Sequence, residues 1–309
     1  REPRKAYHVL FQQLVSLATE RNGLPPAELV GHFFRSGDWQ GIEAEDYELL
    51  LRHLVKEDLL QQMSDGTLLP GLAGERVVRA YDFYAMFQTP PELEVRAGDR
   101  TIGRLAASLK PGACFMLAGG VWRVESMTRD ELRVVPASEG ERPAFRGVGG
   151  PSVHPRVAAR AREILCGTSE VPYLSAGAQR RLTAARATGR ELGMDRRVLF
   201  EGGILVPWLG SDAMETLAEL FAWAGLGADS SRPPWILDLR GDVAEAARRI
   251  VRAPPAASEL AERRERETLT SKKFDEYLPT ELLRKRHAED ELDLAPALEF
   301  LRLLLSDIR

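Results

Sequence analysis

Apolar residues recur at helical spacing over residues 4–21, at Val9, Leu10, Leu14, Leu17 and Ala18. Gly23 stops that helix. Pro25 and Pro26 open the next, where the missing N–H of proline is tolerated. Leu29, Val30 and Phe33 give it an apolar face. After the loop Gly37-Asp38-Trp39, a third helix starts near Glu43 and runs through Tyr47, Leu50, Leu51 and Leu54 to Asp58. Leu59-Leu60-Gln61-Gln62 and Thr67-Leu68-Leu69 then flank Asp65-Gly66, a hairpin signal. Three short helices followed by a hairpin is the order of a winged helix. Such modules read DNA or dock proteins.

From Tyr81 the pattern changes. An aromatic run, Tyr81-Asp82-Phe83-Tyr84-Ala85-Met86-Phe87, leads into short apolar pieces at 93–96, 101–105, 114–117, 121–124 and 132–135. Gly and Asp fill the gaps, which predicts a small antiparallel sheet or barrel. The strands give way to Phe145-Arg146-Gly147-Val148-Gly149-Gly150-Pro151-Ser152-Val153-His154-Pro155-Arg156 and a helix over 157–165.

Beyond it, helices are predicted through Arg180, Leu182 and Arg186 to Leu192, through Met214, Leu217 and Phe221, and over 243–251. Short strands are predicted at 198–201, 204–208 and 235–239. Pro254-Pro255 precedes a charged helix at 259–267, and two packed helices form the tail. The predicted fold class is α+β: a winged helix at 1–78, a β-barrel-like domain with a Gly-rich turn and basic helix at 79–168, and a mixed helical domain at 169–309.

Charge adds a local asymmetry. Residues 142–197 hold 11 arginines against 4 acidic residues, in a chain whose net charge is −4. A basic block in an acidic protein points to an anionic partner, or else to a solvated arginine-rich surface. No apolar run reaches the roughly 18 residues of a membrane helix, so no membrane partner is expected. Cys114 and Cys166 are the only cysteines, without metal-ligand spacing, which argues for a reducing, cytoplasmic setting.

Most catalytic motifs are absent. None of the lysines (Lys5, Lys56, Lys110, Lys272, Lys273, Lys285) follows a glycine, so there is no P-loop and no ATPase activity is expected of this chain alone. Asp290-Glu291-Leu292-Asp293 spells D-E-x-D. It follows Arg284-Lys285-Arg286-His287 rather than an apolar strand, and reads as a solvated turn.

The candidate nucleic-acid-binding residues cluster at the glycine turn. Gly149 and Gly150 let the backbone approach a phosphate closely. Arg146, Arg156 and Arg160 supply charge, the last two on one helix face. Ser152 is placed to cap the helix or donate to a phosphate. His154 either contacts a phosphate or bonds backbone at the helix start. Trp39, on a loop, is a candidate stacking residue. No catalytic or metal-ligating set is assigned.

Several motifs in fixed order resemble a family. They are Val9-Leu10-Phe11-Gln12-Gln13-Leu14, then Tyr84 through Phe87-Gln88-Thr89-Pro90, T-I-G-x-L from Thr101 to Leu105, and F-x-L-A-G-x-x-W-R-V from Phe115 to Val124. G-G-x-x-V-H-x-R-V follows from Gly149 to Val157, and K-F-D-E-Y-L-P-x-E-L-L from Lys273 to Leu283. The set resembles the C-terminal region of the large helicase-related (Lhr) family, superfamily 2 DNA helicases and translocases. The resemblance implies a portion lacking both RecA-like motor domains, which in that family hold ATP and magnesium. It implies a winged helix and β-barrel that help form the channel for the tracking strand. The implied partners are single-stranded DNA and motor domains in cis or in trans, in a DNA-repair setting. The chain departs from the family in lacking the ATPase motifs. The segment after the hairpin, 64–78, is also short, so no stacking residue transfers there. The alternative reading is a protein-interaction scaffold docking a repair or defence partner.

Overall fold

The computed structural model describes residues 4–35, 37, 39–86, 92–105, 109, 111–128, 130–137, 152–195, 199–200, 203–229 and 236–307. The fold is mixed α+β and divides into two compact units, residues 88–152 and the remainder. In this division the helix following the glycine-rich turn falls in the larger unit, whereas the sequence reading groups it with the preceding strands.

The larger unit opens with α1 (Tyr7–Glu20), α2 (Pro26–Arg35), α3 (Ala44–Lys56), the hairpin β1 (Leu60–Gln62) and β2 (Leu68–Pro70), and α4 (Leu72–Val78). The periodic apolar positions are those buried: Leu10, Leu14, Leu29, Phe33, Leu50 and Leu54 share one core with Leu60 and Leu68 of the hairpin. Just past the end of α1, Gly23 turns the chain with φ 105°, and a Cβ there would sit 2.8 Å from the side chains of Leu69 and Thr67. Only glycine turns the chain there and lets the hairpin close on α1.

The smaller unit is a five-stranded sheet in the order β4 (Arg100–Leu105), β3 (Leu93–Ala97), β7 (Glu131–Pro136), β6 (Gly120–Met127), β5 (Cys114–Leu117). Alternation buries Leu93, Val95, Leu105, Phe115, Val124, Leu132 and Val134 on one face. The sheet curls as a half-barrel, with register shifts at Val95/Arg96 and Val124/Ser126. One expectation is corrected. The sheet is mixed rather than antiparallel, because β3 pairs with β7 in parallel. The β3–β4 hairpin and the β5–β6–β7 meander are each antiparallel, and they join where their two inner strands run the same way.

The larger unit resumes with α5 (Pro155–Cys166), α6 (Ala176–Glu191), β8 (Leu199–Phe200), β9 (Ile204–Leu205) and α7 (Ser211–Trp223). β10 (Gly227–Asp229), β11 (Leu237–Arg240), α8 (Val243–Arg252), α9 (Ala257–Glu262) and α10 (Arg266–Leu269) follow. A 3-10 turn (Asp275–Tyr277), α11 (Thr280–Arg286), a π-helical turn (His287–Glu291) and α12 (Leu294–Asp307) complete it. An antiparallel sheet, β10-β11-β9-β8, packs with α7, α8 and α12 around Leu217, Phe221, Leu239, Ile250 and Leu301.

The two ends of the chain meet. Phe274, Leu278, Leu282 and Leu283 enter the core of α1–α3, with Phe11 stacked 5.1 Å from Tyr277. Beneath them lies a charged hub. Arg286, 1% exposed, donates to both oxygens of the fully buried Asp275 at 2.5 and 3.0 Å, to Leu269 O and to Glu291. His287 bridges Glu219 of α7, at 3.0 Å, and Glu291, at 2.8 Å. Asp46 of α3 accepts from Tyr7 Oη and Lys285 Nζ, and Asp290 accepts the Arg4 and Lys5 N–H groups. Asp290-Glu291-Leu292-Asp293 is therefore no solvated turn. Leu292 is buried, and Glu291 is held by Arg286 and His287.

Candidate nucleic-acid interface

Proline at its first position fixes the start of α5, and His154 caps it, its Nδ1 accepting the Arg156 N–H at 3.1 Å. That bond commits Nδ1 to backbone. The cap is His154, so Ser152, exposed just before it, does not fill that role. The entry to α5 is tied to α7: the Ser211 hydroxyl accepts from Val153 N–H at 2.8 Å, and Ser211 N–H donates back to Val153 O.

Gly210 allows this approach. A Cβ there would lie 2.9 Å from Pro155 Cδ and 3.0 Å from Val153 O, atoms that have little room to yield. Gly210→Ala is expected to lower stability by about 1–3 kcal/mol, read by thermal unfolding. An unchanged midpoint would show that the start of α5 is not docked on α7.

Among the sequence candidates, Arg156 and Arg160 are exposed on α5. Arg160 donates to Glu163 at 2.8 Å, which offsets its charge one turn along and relieves the like-charge pairing with Arg156. Trp39 packs edge-on against Phe33 at 5.7 Å and is half-buried at the margin of the α1–α3 core. It lies on a different part of the unit from α5. Arg146, Gly149 and Gly150 lie outside the described residues. So do four of the arginines in the basic block, Arg142, Arg146, Arg196 and Arg197.

What the structure brings together is the helix pair α5–α6. Arg156, Arg162, Arg180, Arg181 and Arg190 are exposed on it, and none has a carboxylate within salt-bridge distance among the described residues. Arg160, Arg162 and Arg186 line one cavity of about 640 Å³ beside Cys166 and Glu170. Arg186 is buried and donates to Ile164 O at 2.8 Å and Ser169 O at 2.9 Å. It satisfies the Ile164 carbonyl left open at the end of α5, where a cation also complements the helix dipole, and the Ser169 carbonyl just beyond it. The sequence carried a signal for this residue: Arg186 is four positions after Leu182, on the face α6 buries. Burial pushes the nearby Cys166 thiol up, opposed in part by Arg162.

Among the described residues, no group of His, Cys, Asp and Glu is arranged to hold a metal ion, and no helix is long and apolar enough to cross a membrane. No family model matches the chain, and neither a curated protein nor a solved structure is found similar to it.

Proposed function

We propose that this chain is the nucleic-acid-binding C-terminal portion of an Lhr-like, ATP-dependent 3'-5' DNA helicase, gripping the single strand for motor domains it does not itself contain. In this reading α1–α3 with the β1–β2 hairpin form a winged helix within 1–78. The curled sheet is the barrel-like domain of 79–168, and 169–309 is the mixed helical domain. The observation that carries the reading is the α5–α6 pair, with five exposed arginines lacking carboxylate partners, in a chain whose motif order resembles that family. Unpaired guanidiniums on adjacent helices suit a phosphate backbone, which they meet by releasing counterions. ATP and magnesium chemistry is assigned to the motor domains, and no catalytic step to this chain.

The chain is expected to bind a single-stranded DNA oligonucleotide weakly, with affinity falling steeply as salt rises, as read by fluorescence anisotropy. Affinity that is unchanged by salt, or absent at low salt, would contradict the electrostatic grip.

The second reading, a scaffold that docks a protein, draws on α3. Its exposed charges are Glu45, Glu48, Arg52 and Lys56, and Arg52 is paired with Glu48 at 3.7 Å. A balanced, self-paired helix face suits a protein better than a major groove.

A further inference from the structure

Two tyrosines stand out at the end of the first module. Tyr81 is 101% exposed, the highest value among the large apolar and aromatic side chains exposed on the described surface, and Tyr84 is 69% exposed. Neither hydroxyl makes a hydrogen bond among the described residues.

The turn that carries them is fixed from below. Phe83, between them, is buried and meets Phe274 edge-on at 5.8 Å. Tyr84 rests edge-on against Phe83 at 5.0 Å. Phe274 in turn touches Phe11 at 5.5 Å, so an aromatic series runs from Tyr84 into the core. The ammonium of Lys273, itself mostly buried, clasps the turn: it donates to Asp82 O, to Asp82 Oδ2 at 3.1 Å and to Ala85 O at 2.8 Å. Backbone bonds from Phe83 N to Ala80 O and from Ala85 N to Asp82 O close it.

Buried support beneath exposed rings is costly in solvation and unnecessary for a linker. The surroundings narrow the choice of occupant. Arg76 on α4 and Arg79, the residue capping its end, precede the turn three residues apart. Arg79 is paired with Glu75 at 2.8 Å, while Arg76 has no carboxylate partner among the described residues. Asp82 is the acid within the turn, and Lys273 holds it. Exposed aromatic rings that follow α4 and its unpaired guanidinium in the chain match the chemistry of a nucleobase and its phosphate.

We infer that Tyr81 and Tyr84 form a stacking platform for unpaired bases of a single strand. The inference rests on the single-strand reading above and adds to it residues on a different element from α5 and α6.

The test compares a labelled single-stranded DNA oligonucleotide without self-pairing with an abasic strand of the same length, by fluorescence anisotropy on the full chain. Tyr81→Ala and Tyr84→Ala are each expected to weaken binding of the base-bearing strand about tenfold. Binding of the abasic strand stays as in wild type. Tyr81→Phe and Tyr84→Phe keep the ring and the fold, and are expected to bind like wild type. A wild type that binds while the alanine variants match it overturns the platform but leaves the grip standing, and makes the tyrosines a protein contact. Phenylalanine variants as weak as the alanine ones overturn stacking in favour of hydroxyl bonding. A wild type that binds neither strand overturns the platform together with the single-strand reading.

Discussion

Asp275→Ala is expected to destabilise the larger unit by about 3–5 kcal/mol, because it removes the fully buried carboxylate that faces the buried charge of Arg286. Arg286 places two of its donors on this carboxylate, and Asp275 Oδ2 also accepts the N–H groups of Ser271 and Lys272 at 3.0 and 2.7 Å. Removal therefore leaves the guanidinium with Glu291 as its remaining carboxylate partner, two of its donors without that carboxylate, and two backbone donors unmet. The unfolding midpoint should drop by on the order of 10 °C. Asp275→Asn keeps the shape and part of the bonding and should fall between. Replacing both partners with apolar residues, as in Asp275→Leu with Arg286→Met, should cost less than Asp275→Ala alone, since neither charge is then buried. An unfolding free energy for Asp275→Ala within about 0.5 kcal/mol of wild type would mean that the hub is open to water.

Stability should also peak near pH 6.5 and decline on both sides. Burial opposes charge on His287, but hydrogen bonds and the charges of Glu219 and Glu291 outweigh it and lift its pKa to about 9. The fold binds this proton more tightly than the unfolded chain does. The contribution is complete below pH 6.5 and is lost as pH rises through 9. A shift of this size is on the order of 3 kcal/mol. On the acid side, burial drives the His8 pKa down to about 4, so the unfolded state takes that proton first and stability falls as pH drops from 6.5. Glu291 adds to the loss further down. Burial raises its pKa, but bonding from His287 and the charges of Arg286 and Lys272 bring it to about 2, so its contribution goes as pH falls below 4.5. Lys285, lifted to about 12 by Asp46 and Glu43 against its burial, titrates beyond this range. The decline between pH 6.5 and 9 should be markedly smaller in His287→Gln, measured by thermal unfolding across pH. An identical alkaline slope in that variant would assign it to another group.

The hub also marks the limit of what the sequence disclosed. Helical and two-residue periodicity located α1–α3, the β1–β2 hairpin and the strands of the curled sheet, because those residues answer to local burial. It did not show which strands are neighbours, since alternation sets the face of a strand and not its partner. Hence the parallel β3–β7 pairing went unforeseen. The run Arg284-Lys285-Arg286-His287 reads as surface because composition is local, whereas its partners Asp275, Asp46 and Glu219 are distant in sequence. A finer reading was open. Arg286 lies four residues after Leu282 and three after Leu283, on the buried face of α11, and a cation there needs a carboxylate. The same logic marks Arg186. The tyrosine platform was hidden for the opposite reason: the aromatic run from Tyr81 looks uniformly apolar, and only the fold separates buried Phe83 from exposed Tyr81 and Tyr84.

At the candidate site, the helix start, its arginines and the three-residue spacing that lets Glu163 offset Arg160 were legible in the sequence. Arg160 is held by Glu163, and Arg156 has no carboxylate partner among the described residues. The salt dependence of single-strand binding, compared between wild type and the Arg156→Ala, Arg160→Ala double variant, tests the proposed grip most directly. The double variant should bind all base sequences more weakly to a similar degree, with the slope of log affinity against log salt reduced by about one to two units and thermal unfolding unchanged. Identical affinities and slopes in two equally folded proteins would contradict it and place the strand away from α5.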